Sequence, residues 1–242
     1  MNFYTSRGII FRIVKYGESS VICDIYTEEK GLRSFIASGV RNSGKRNRSA
    51  VYRPLNFIEL VAPETEEVDK LVRIKEAALY YHFNSIDQHV VKSSISLFML
   101  EVVRNTVRER NPDPEMFGFI EDWIMWLDFA EKTSPLAGVK FMLELAAHAG
   151  FGPLNNYSLS NKFFDLQEGM FKSSYDANHH VMDEEISHLS SQLLSMTRES
   201  LPEMKVDRNI REILYENWIQ YYRMHLAGFK EIKSIDVLKT IF

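Results

Sequence analysis

The chain has 242 residues, 45% of them hydrophobic, with a formal net charge of −4 and one cysteine. This length and apolar content allow a sizeable core, in one large domain or two modest ones. The lone Cys23 excludes an intrachain disulfide and a multi-cysteine metal cluster, and no apolar run approaches the roughly 18 residues of a membrane-spanning helix. The N-terminus also lacks a signal-peptide pattern, so we expect a cytoplasmic protein that does not enter a membrane.

The first 77 residues hold five short apolar segments that predict β-strands. Each is rich in Ile, Val, Phe and Tyr, and turn-forming residues separate them. The segments are Gly8–Tyr16, Val21–Thr27, Leu32–Ala37, Leu55–Val61 and Leu71–Ala77. Because short strands follow one another with little helix between them, we predict a five-stranded barrel of the oligonucleotide-binding (OB) kind over residues 1–78.

A run of basic residues, Arg41–Arg53, lies between the third and fourth segments and contains no acidic residue. Its five cations are Arg41, Lys45, Arg46, Arg48 and Arg53. Residues 1–58 carry ten Lys and Arg against four Asp and Glu, a net of +6, whereas residues 59–242 carry nineteen against twenty-nine, a net of −10. Because a positive field on one module attracts a polyanion, the run predicts nucleic-acid binding there.

Four aromatic residues of this module have two interpretations. Each could stack on an unpaired base, which adds affinity with little sequence preference. Each could equally well belong to the barrel core. The four are Tyr16, Tyr26, Phe35 and Tyr52.

After about Tyr80 the apolar residues recur every three or four positions, which predicts helices. The predicted helices cover Asp87–Arg110, a segment after Pro114, Ser134 to a stop at Gly150, Glu184–Glu199, Arg208–His225 and a last turn over Ile235–Phe242. Residues 152–183 lack this period, and FFDLQEGMF within them reads as two short extended pieces. We therefore predict an α+β protein whose residues 79–242 form a helical bundle with a small irregular insertion.

Two motifs suggest chemistry but lack the residues that would complete it. Gly39–Lys45 matches G-x-x-x-x-G-K, yet a phosphate-binding loop needs Ser or Thr after the Lys, and Arg46 stands there. His179 and His180 lack the further ligands of a structural zinc site. No nucleophile–base–acid order stands out elsewhere, so we predict no enzyme activity, no catalytic residue, no metal and no cofactor.

Three stretches of the chain resemble the RecO family of bacterial recombination mediators. They are RGIIFRIVKYGESSVICDIYTEEKGLRSFIASGVRNSGK, then PLNFIELV followed by RIKEA, and the C-terminal YYRMHLAGFKEIKSIDVLKTIF. The order and spacing of YGESS, YTEEKGL and GVR are specific to that family. The resemblance implies a barrel followed by a helical domain, without enzymatic turnover.

The resemblance also implies a function and partners in recombinational DNA repair. RecO-like proteins bind single- and double-stranded DNA, anneal complementary strands, pair with RecR and engage the acidic C-terminal tail of single-stranded DNA-binding protein. They help to load RecA and so act at the nucleoid. The family's basic positions correspond here to Arg33, Arg41, Lys45, Arg46 and Arg48, to which the basic run adds Arg53.

Two further expectations concern the second half of the chain. Many RecO-like proteins carry a four-cysteine zinc module where this chain has Tyr157–Asp183 without cysteine, so we expect the insertion to pack through Phe163, Phe164, Leu166 and Phe171. A pocket for an acidic tail needs basic residues at its rim. The candidates are Lys92, Arg104, Arg108, Lys140, Arg211 and Arg223.

The residues alone leave two other functions open. The acidic helical half could make the chain a protein-interaction scaffold whose DNA contact is incidental. The barrel could instead bind RNA, because nothing in the sequence reads or rejects a 2′-hydroxyl.

Overall fold

The computed structural model describes residues 2–41, 48–65, 67, 70–107, 111–174 and 180–241. The chain is mixed α+β, as predicted, and its packing divides it into two compact units. The first unit comprises Met1–Ser85 and Val107–Asp128, and the second comprises Ile86–Thr106 and Phe129–Phe242. This division groups residues by packing, and the domain boundary at residues 78/79 stays a prediction.

Along the chain, most of the β-strands come before most of the α-helices. The strands are β1 (Phe3–Tyr16), β2 (Ser20–Thr27), β3 (Gly31–Ala37), β4 (Phe57–Pro63), β5 (Val72–Arg73), β6 (Glu76–Leu79), β7 (Phe163–Asp165) and β8 (Met170–Lys172). The helices are α1 (Arg48–Val51), α2 (Val90–Thr106), α3 (Pro114–Phe129), α4 (Ala137–His148), α5 (Glu184–Ser195), α6 (Arg208–His225) and α7 (Ser234–Ile241).

Strands β1 to β6 form one curled sheet in the first unit, in the order β5-β3-β2-β1-β4-β6. Its inner face buries an apolar core that includes Cys23, Phe35 and Leu60. The thiol of Cys23 is fully buried, and burial raises its pKa to about 12. Cys23 is therefore a core residue of the first unit.

The segment predicted as a fifth strand, Leu71–Ala77, contributes instead to two short strands on opposite edges of the sheet. β5 pairs with β3, and β6 pairs with β4. The switch occurs at the buried Ile74, whose N–H donates to the Ile36 carbonyl at 2.9 Å, while the N–H of Lys75 donates to the Val61 carbonyl at 2.9 Å. The described sheet has six strands rather than five because one segment serves both edges and joins them.

A β-bulge in β1 changes which side chains point outward. The register with β2 shifts between Ile10 and Arg12, so Phe11 is the extra residue. A bulge re-aims the side chains that follow it. Beyond Phe11, Val14 and Tyr16 point away from the core and are 39% and 49% exposed.

Helix α3 covers the outer face of the sheet before the bulge. Phe117 packs on Tyr26 with ring centroids 6.1 Å apart, and the Tyr26 hydroxyl donates to the Asp113 carbonyl at 3.4 Å. Arg7 on β1 forms ion pairs with Glu121 on α3 at 3.1 Å. Residues up to Asp128 of this helix therefore complete the first unit.

The second unit is built from helices, with a hairpin in the predicted insertion. The pieces predicted from FFDLQEGMF are the paired strands β7 and β8. Phe164, Leu166 and Phe171 are buried, as predicted, whereas Phe163 is half-buried. The Phe164 ring lies 5.1 Å from that of Trp218 on α6, so the hairpin packs on this helix as well as on itself.

The predicted stop at Gly150 is confirmed. Gly150 has φ of 84°, and its N–H donates to the Ala147 carbonyl at 3.2 Å, while the Phe151 N–H donates to the Ala146 carbonyl at 3.0 Å. These two bonds are the Schellman pattern that ends a helix with glycine. The start differs, because Ser134 caps a turn through the Leu136 N–H and α4 begins only at Ala137.

Candidate nucleic-acid interface

The first cation of the basic run lies beside the turn that joins β1 to β2. The backbone N–H of Arg41 donates to the Ser19 carbonyl at 3.1 Å, and its guanidinium Nη1 donates to the Gly17 carbonyl at 3.4 Å. Gly17 has φ of 61°, a turn conformation that favours glycine. Arg41 is exposed, as are Lys15 and Tyr16 just before the turn. The fold thus brings two cations and an aromatic ring to one end of the sheet.

Beyond the bulge, the outer sheet surface is accessible; we call it the open face. It consists of Arg12, Val14, Tyr16, Ile22, Ile36 and Arg73. Its central row is set by strand register, since Val14 pairs with Ile22, Ile22 with Ile36, and Ile36 with Arg73. Paired residues point to the same side of a sheet. The row is therefore a partly exposed apolar strip across β1, β2 and β3 that ends in an exposed cation on β5.

Arg12 lies at the edge of this strip with a weak acidic partner. Its Nη1 is 3.9 Å from Asp24 Oδ2, while the Ser34 hydroxyl donates to Asp24 Oδ1 at 2.7 Å. An exposed pair at that distance contributes little, about 0–1 kcal/mol. Arg12 can therefore exchange this carboxylate for another anion at small cost, beside the partly exposed apolar side chains of the strip.

The last cation of the run, Arg53, is exposed just after α1. The Asn56 side-chain amide holds α1 by donating to the carbonyls of Ala50 at 2.7 Å and Val51 at 2.9 Å. The buried Leu55 has φ of 77°, which is uncommon for a residue with a side chain. Its N–H donates to the Ile10 carbonyl at 2.8 Å, so this end of the run is fixed to β1.

Arg33 lies apart from these residues. It points to the same side of β3 as the core residues Phe35 and Ala37, and its Nη1 donates to the Leu32 carbonyl at 2.9 Å. Four residues of strand, about 13 Å, separate it from Ala37, after which the basic run begins. Arg33 instead adjoins Tyr4, whose pKa burial raises to about 12 against the opposing effect of the Arg33 charge. The structure does not bring Arg33 together with Arg41.

The remaining predicted cations cannot be placed side by side with Arg41. Lys45 and Arg46 lie outside the described residues, and Arg48 begins α1 with a side chain that also lies outside them. Of the four aromatic candidates, Tyr26 and Phe35 are buried in the core, Tyr52 is half-buried and Tyr16 is exposed. Tyr16 is thus the ring most accessible to a base.

Sequence reasoning missed Arg12, Lys15 and Arg73 as members of the candidate interface. All three are isolated cations on strands. Arg12 and Arg73 share the open face because of the bulge at Phe11 and the pairing of β5 with β3, whereas Lys15 pairs with Val21 and lies near Arg41 only at the end of the sheet. The sequence does contain one signal for this surface: apolar residues stop alternating regularly between Ile9 and Val14, which is typical of a β-bulge.

Two other features are absent from the described ranges. They contain no group of three His, Cys, Asp or Glu side chains arranged to hold a metal ion, and His179 lies outside them. No helix in the described part of the chain has both the length and the apolar character needed to cross a bilayer.

Comparison with known proteins identifies the family of the chain. The family model described as "Recombination protein O N terminal" matches residues 1–83, and that described as "Recombination protein O C terminal" matches residues 88–234. The chain belongs to the RecO family. The matched regions include the open face and the basic run in the first and the β7–β8 hairpin in the second.

Relatives in this family match along nearly the whole chain. A protein of Bacteroides fragilis is 31% identical over 238 residues, which cover 97% of each chain. One of Azobacteroides pseudotrichonymphae is 28% identical over 239 residues, 99% of each, and one of Flavobacterium psychrophilum is 29% identical over 238, 98% of each. All three relatives are named DNA repair protein RecO.

Proposed function

We propose that this RecO-family chain is a DNA repair protein that binds single- and double-stranded DNA and anneals complementary strands without enzymatic turnover. The observation that supports this most is the meeting of Arg41 with the β1–β2 turn, which joins the basic run to the open face. One surface then combines cations for phosphates with apolar and aromatic groups for bases.

The proposed mechanism is electrostatic, with base stacking as the second contribution. Each phosphate neutralised on a single strand changes the slope of log affinity against log salt by about −0.7. Stacking on the open face would hold bases of one strand unpaired and accessible to a second strand. We further propose that the curled sheet is a barrel of the OB kind, supported by the segment from β5 to β6 that joins its two edges.

The partners proposed from the family resemblance are RecR, the acidic tail of single-stranded DNA-binding protein and, indirectly, RecA. Of the six basic residues considered for a tail pocket, Lys92, Lys140 and Arg211 are buried. Lys140 Nζ donates to the Leu193 carbonyl at 2.9 Å near the end of α5, so its role is structural. Arg108 lies outside the described residues, which leaves Arg104 and Arg223 as exposed candidates.

Annealing of two complementary oligonucleotides, followed by fluorescence across a salt series, tests the proposal. The variant reverses three cations of the basic run, Lys45→Glu, Arg46→Glu and Arg48→Glu. We expect the wild type to anneal the strands with strong salt dependence and the variant to lose DNA binding while keeping its thermal unfolding transition. The reason is that six units of charge change where phosphates are proposed to bind.

A matched control reverses three exposed lysines of the second unit, Lys132, Lys205 and Lys230, which changes the net charge equally. This control should retain most annealing. If the basic-run variant bound DNA as well as the wild type, the site assignment would be wrong. If neither protein annealed DNA, the result would favour a protein-interaction scaffold.

A further inference from the structure

A cleft of about 330 Å³ lies beside α1 in the first unit, where β4 and β6 meet. Val51, Val61 and Ile74 give it an apolar wall. Pockets that hold small molecules measure about 300–1,000 Å³, so this cleft has room for one small planar group rather than a long chain.

The polar residues of the cleft disfavour a phosphate. Among the residues that the structure describes, the charged side chains lining it are Glu59, Glu76 and one cation, Lys75. Lys75 is already engaged, since its Nζ lies 3.8 Å from Glu76 Oε1 and 4.8 Å from the centroid of the Phe3 ring. Glu59 is exposed, and its carboxylate makes no hydrogen bond or ion pair with the described residues. The cleft therefore offers carboxylate acceptors to a neutral donor.

The chain passes directly from this cleft to the proposed phosphate-binding surface. The half-buried Tyr52 lines the cleft, and the next residue is the exposed Arg53, with its Cα about 3.8 Å away along the chain. A nucleotide likewise combines a flat neutral base with an anionic phosphate. Tyr52 and Arg53 thus match the two halves of one nucleotide.

We propose that the cleft binds one unstacked nucleobase of a DNA strand whose backbone passes Arg53, and that it prefers a base with an exocyclic amino group. The inference rests on the proposed DNA binding and adds a base site to it. Tyr52 supplies a surface for the ring, and Glu59 accepts from the amino group, as acidic side chains do from cytosine N4. Thymine has no exocyclic amino group and so lacks this contact.

Binding of three labelled 20-unit strands, measured by fluorescence anisotropy, tests the base site. The strands are oligodeoxycytidine, oligodeoxythymidine and an abasic deoxyribose-phosphate chain. We expect the wild type to bind the cytosine strand about fivefold more tightly than the thymine strand, near the lower end of what one base contact provides, because Glu59 is exposed. Glu59→Ala should bring this ratio close to one without weakening binding to the abasic chain.

Glu29→Ala is the matched control, because Glu29 is an exposed carboxylate of the same unit that does not line the cleft. It should keep the cytosine-to-thymine ratio of the wild type. As a second variant, Tyr52→Leu keeps an apolar side chain and should weaken binding to both base-containing strands but not to the abasic chain.

The outcomes separate the base site from the proposed function. Binding to the abasic chain, with equal affinity for cytosine and thymine strands in the wild type, would overturn the base site and leave DNA binding standing. No binding to any of the three strands would overturn the proposed function itself. A ratio that falls equally in Glu59→Ala and Glu29→Ala would trace the preference to overall charge and also overturn the base site.

Discussion

At the scale of single residues, Arg41 and Tyr16 are neighbours that should contribute to DNA binding in different ways. Arg41 is held at the β1–β2 turn with its guanidinium accessible, and Tyr16 presents a ring that is 49% exposed. A guanidinium neutralises a phosphate and releases a counterion, whereas a ring stacks on a base without changing the ion count. The two substitutions therefore have distinct signatures.

We expect Arg41→Ala to reduce the salt slope of single-strand binding by about 0.7. Tyr16→Ala should leave that slope unchanged and lower the affinity for single strands by about 1–3 kcal/mol. Titrations of a labelled oligonucleotide at several salt concentrations measure both, with the exposed Lys205→Ala as a control. Equal slopes for Arg41→Ala and the control would show that Arg41 contacts no phosphate.

At the scale of elements, α7 is held at its start by a side chain of α2. Glu101 Oε1 accepts from the Lys233 N–H at 3.1 Å, and Oε2 accepts from the Ser234 N–H at 2.8 Å and the Ser234 hydroxyl at 2.6 Å. The first N–H groups of a helix have no partner within it, so this carboxylate serves as a cap supplied from another helix. In α7 itself, Leu238 is the buried side chain among the described positions.

We expect Glu101→Ala to lower the free energy of unfolding by about 1 kcal/mol, as loss of a cap does, and to loosen α7 in particular. Limited proteolysis followed by mass spectrometry should show faster cleavage within residues 234–241. Glu131→Ala, at an exposed position outside the helices, serves as control. Unchanged cleavage of the C-terminal segment in Glu101→Ala would rule out a capping role.

At the scale of the whole molecule, the first unit depends on a charge cluster around Arg7. Its guanidinium bonds both carboxylate oxygens of Glu28, at 2.7 and 2.9 Å, and pairs with Glu121 on α3. The Tyr80 hydroxyl donates to Glu121 as well, at 2.5 Å, and burial raises the pKa of Tyr80. Strand, turn and helix are thus joined through one side chain.

This cluster predicts a component of acid sensitivity. The hydrogen bond from Arg7 lowers the pKa of Glu28, so the pair stabilises the fold above the unfolded pKa of about 4.3 and loses that contribution as pH falls through the lower folded value. Because Arg7 is 41% and Glu28 26% exposed, we expect an effect of at most about 1 kcal/mol. Urea unfolding monitored by tryptophan fluorescence should show Arg7→Met destabilised near neutral pH, with a smaller difference from wild type near pH 3.

Arg12→Met is the matched control for this prediction, since the pair between Arg12 and Asp24 is loose at 3.9 Å. It should differ little from wild type at either pH. A gap between Arg7→Met and wild type that stayed constant with pH would assign the stabilising role of Arg7 to its packing on Phe117, 5.4 Å from the ring centroid, rather than to charge.

Much of the fold follows from local sequence pattern, and the exceptions have physical causes. Arg208–His225 is a helix with the predicted bounds, because its apolar period and the polar residues at its two ends indicate the same limits. The fifth predicted strand divides at Ile74, because the curled sheet brings two edges close to one segment, which no local pattern records. In the candidate site, Arg41 and Arg53 are predictable from the sequence because they belong to the basic run. Arg12 and Arg73 come to the candidate site only through strand register.

The way α3 completes the first unit has a consequence for how the chain folds as it is synthesised. The sheet residues leave the ribosome well before Phe117, so the outer surface around Ile9 and Tyr26 must wait for a helix that follows α2 in the chain. Until then those apolar side chains are open to water and to other chains. A fragment cut at residue 83, where the N-terminal family match ends, would keep that exposed surface permanently.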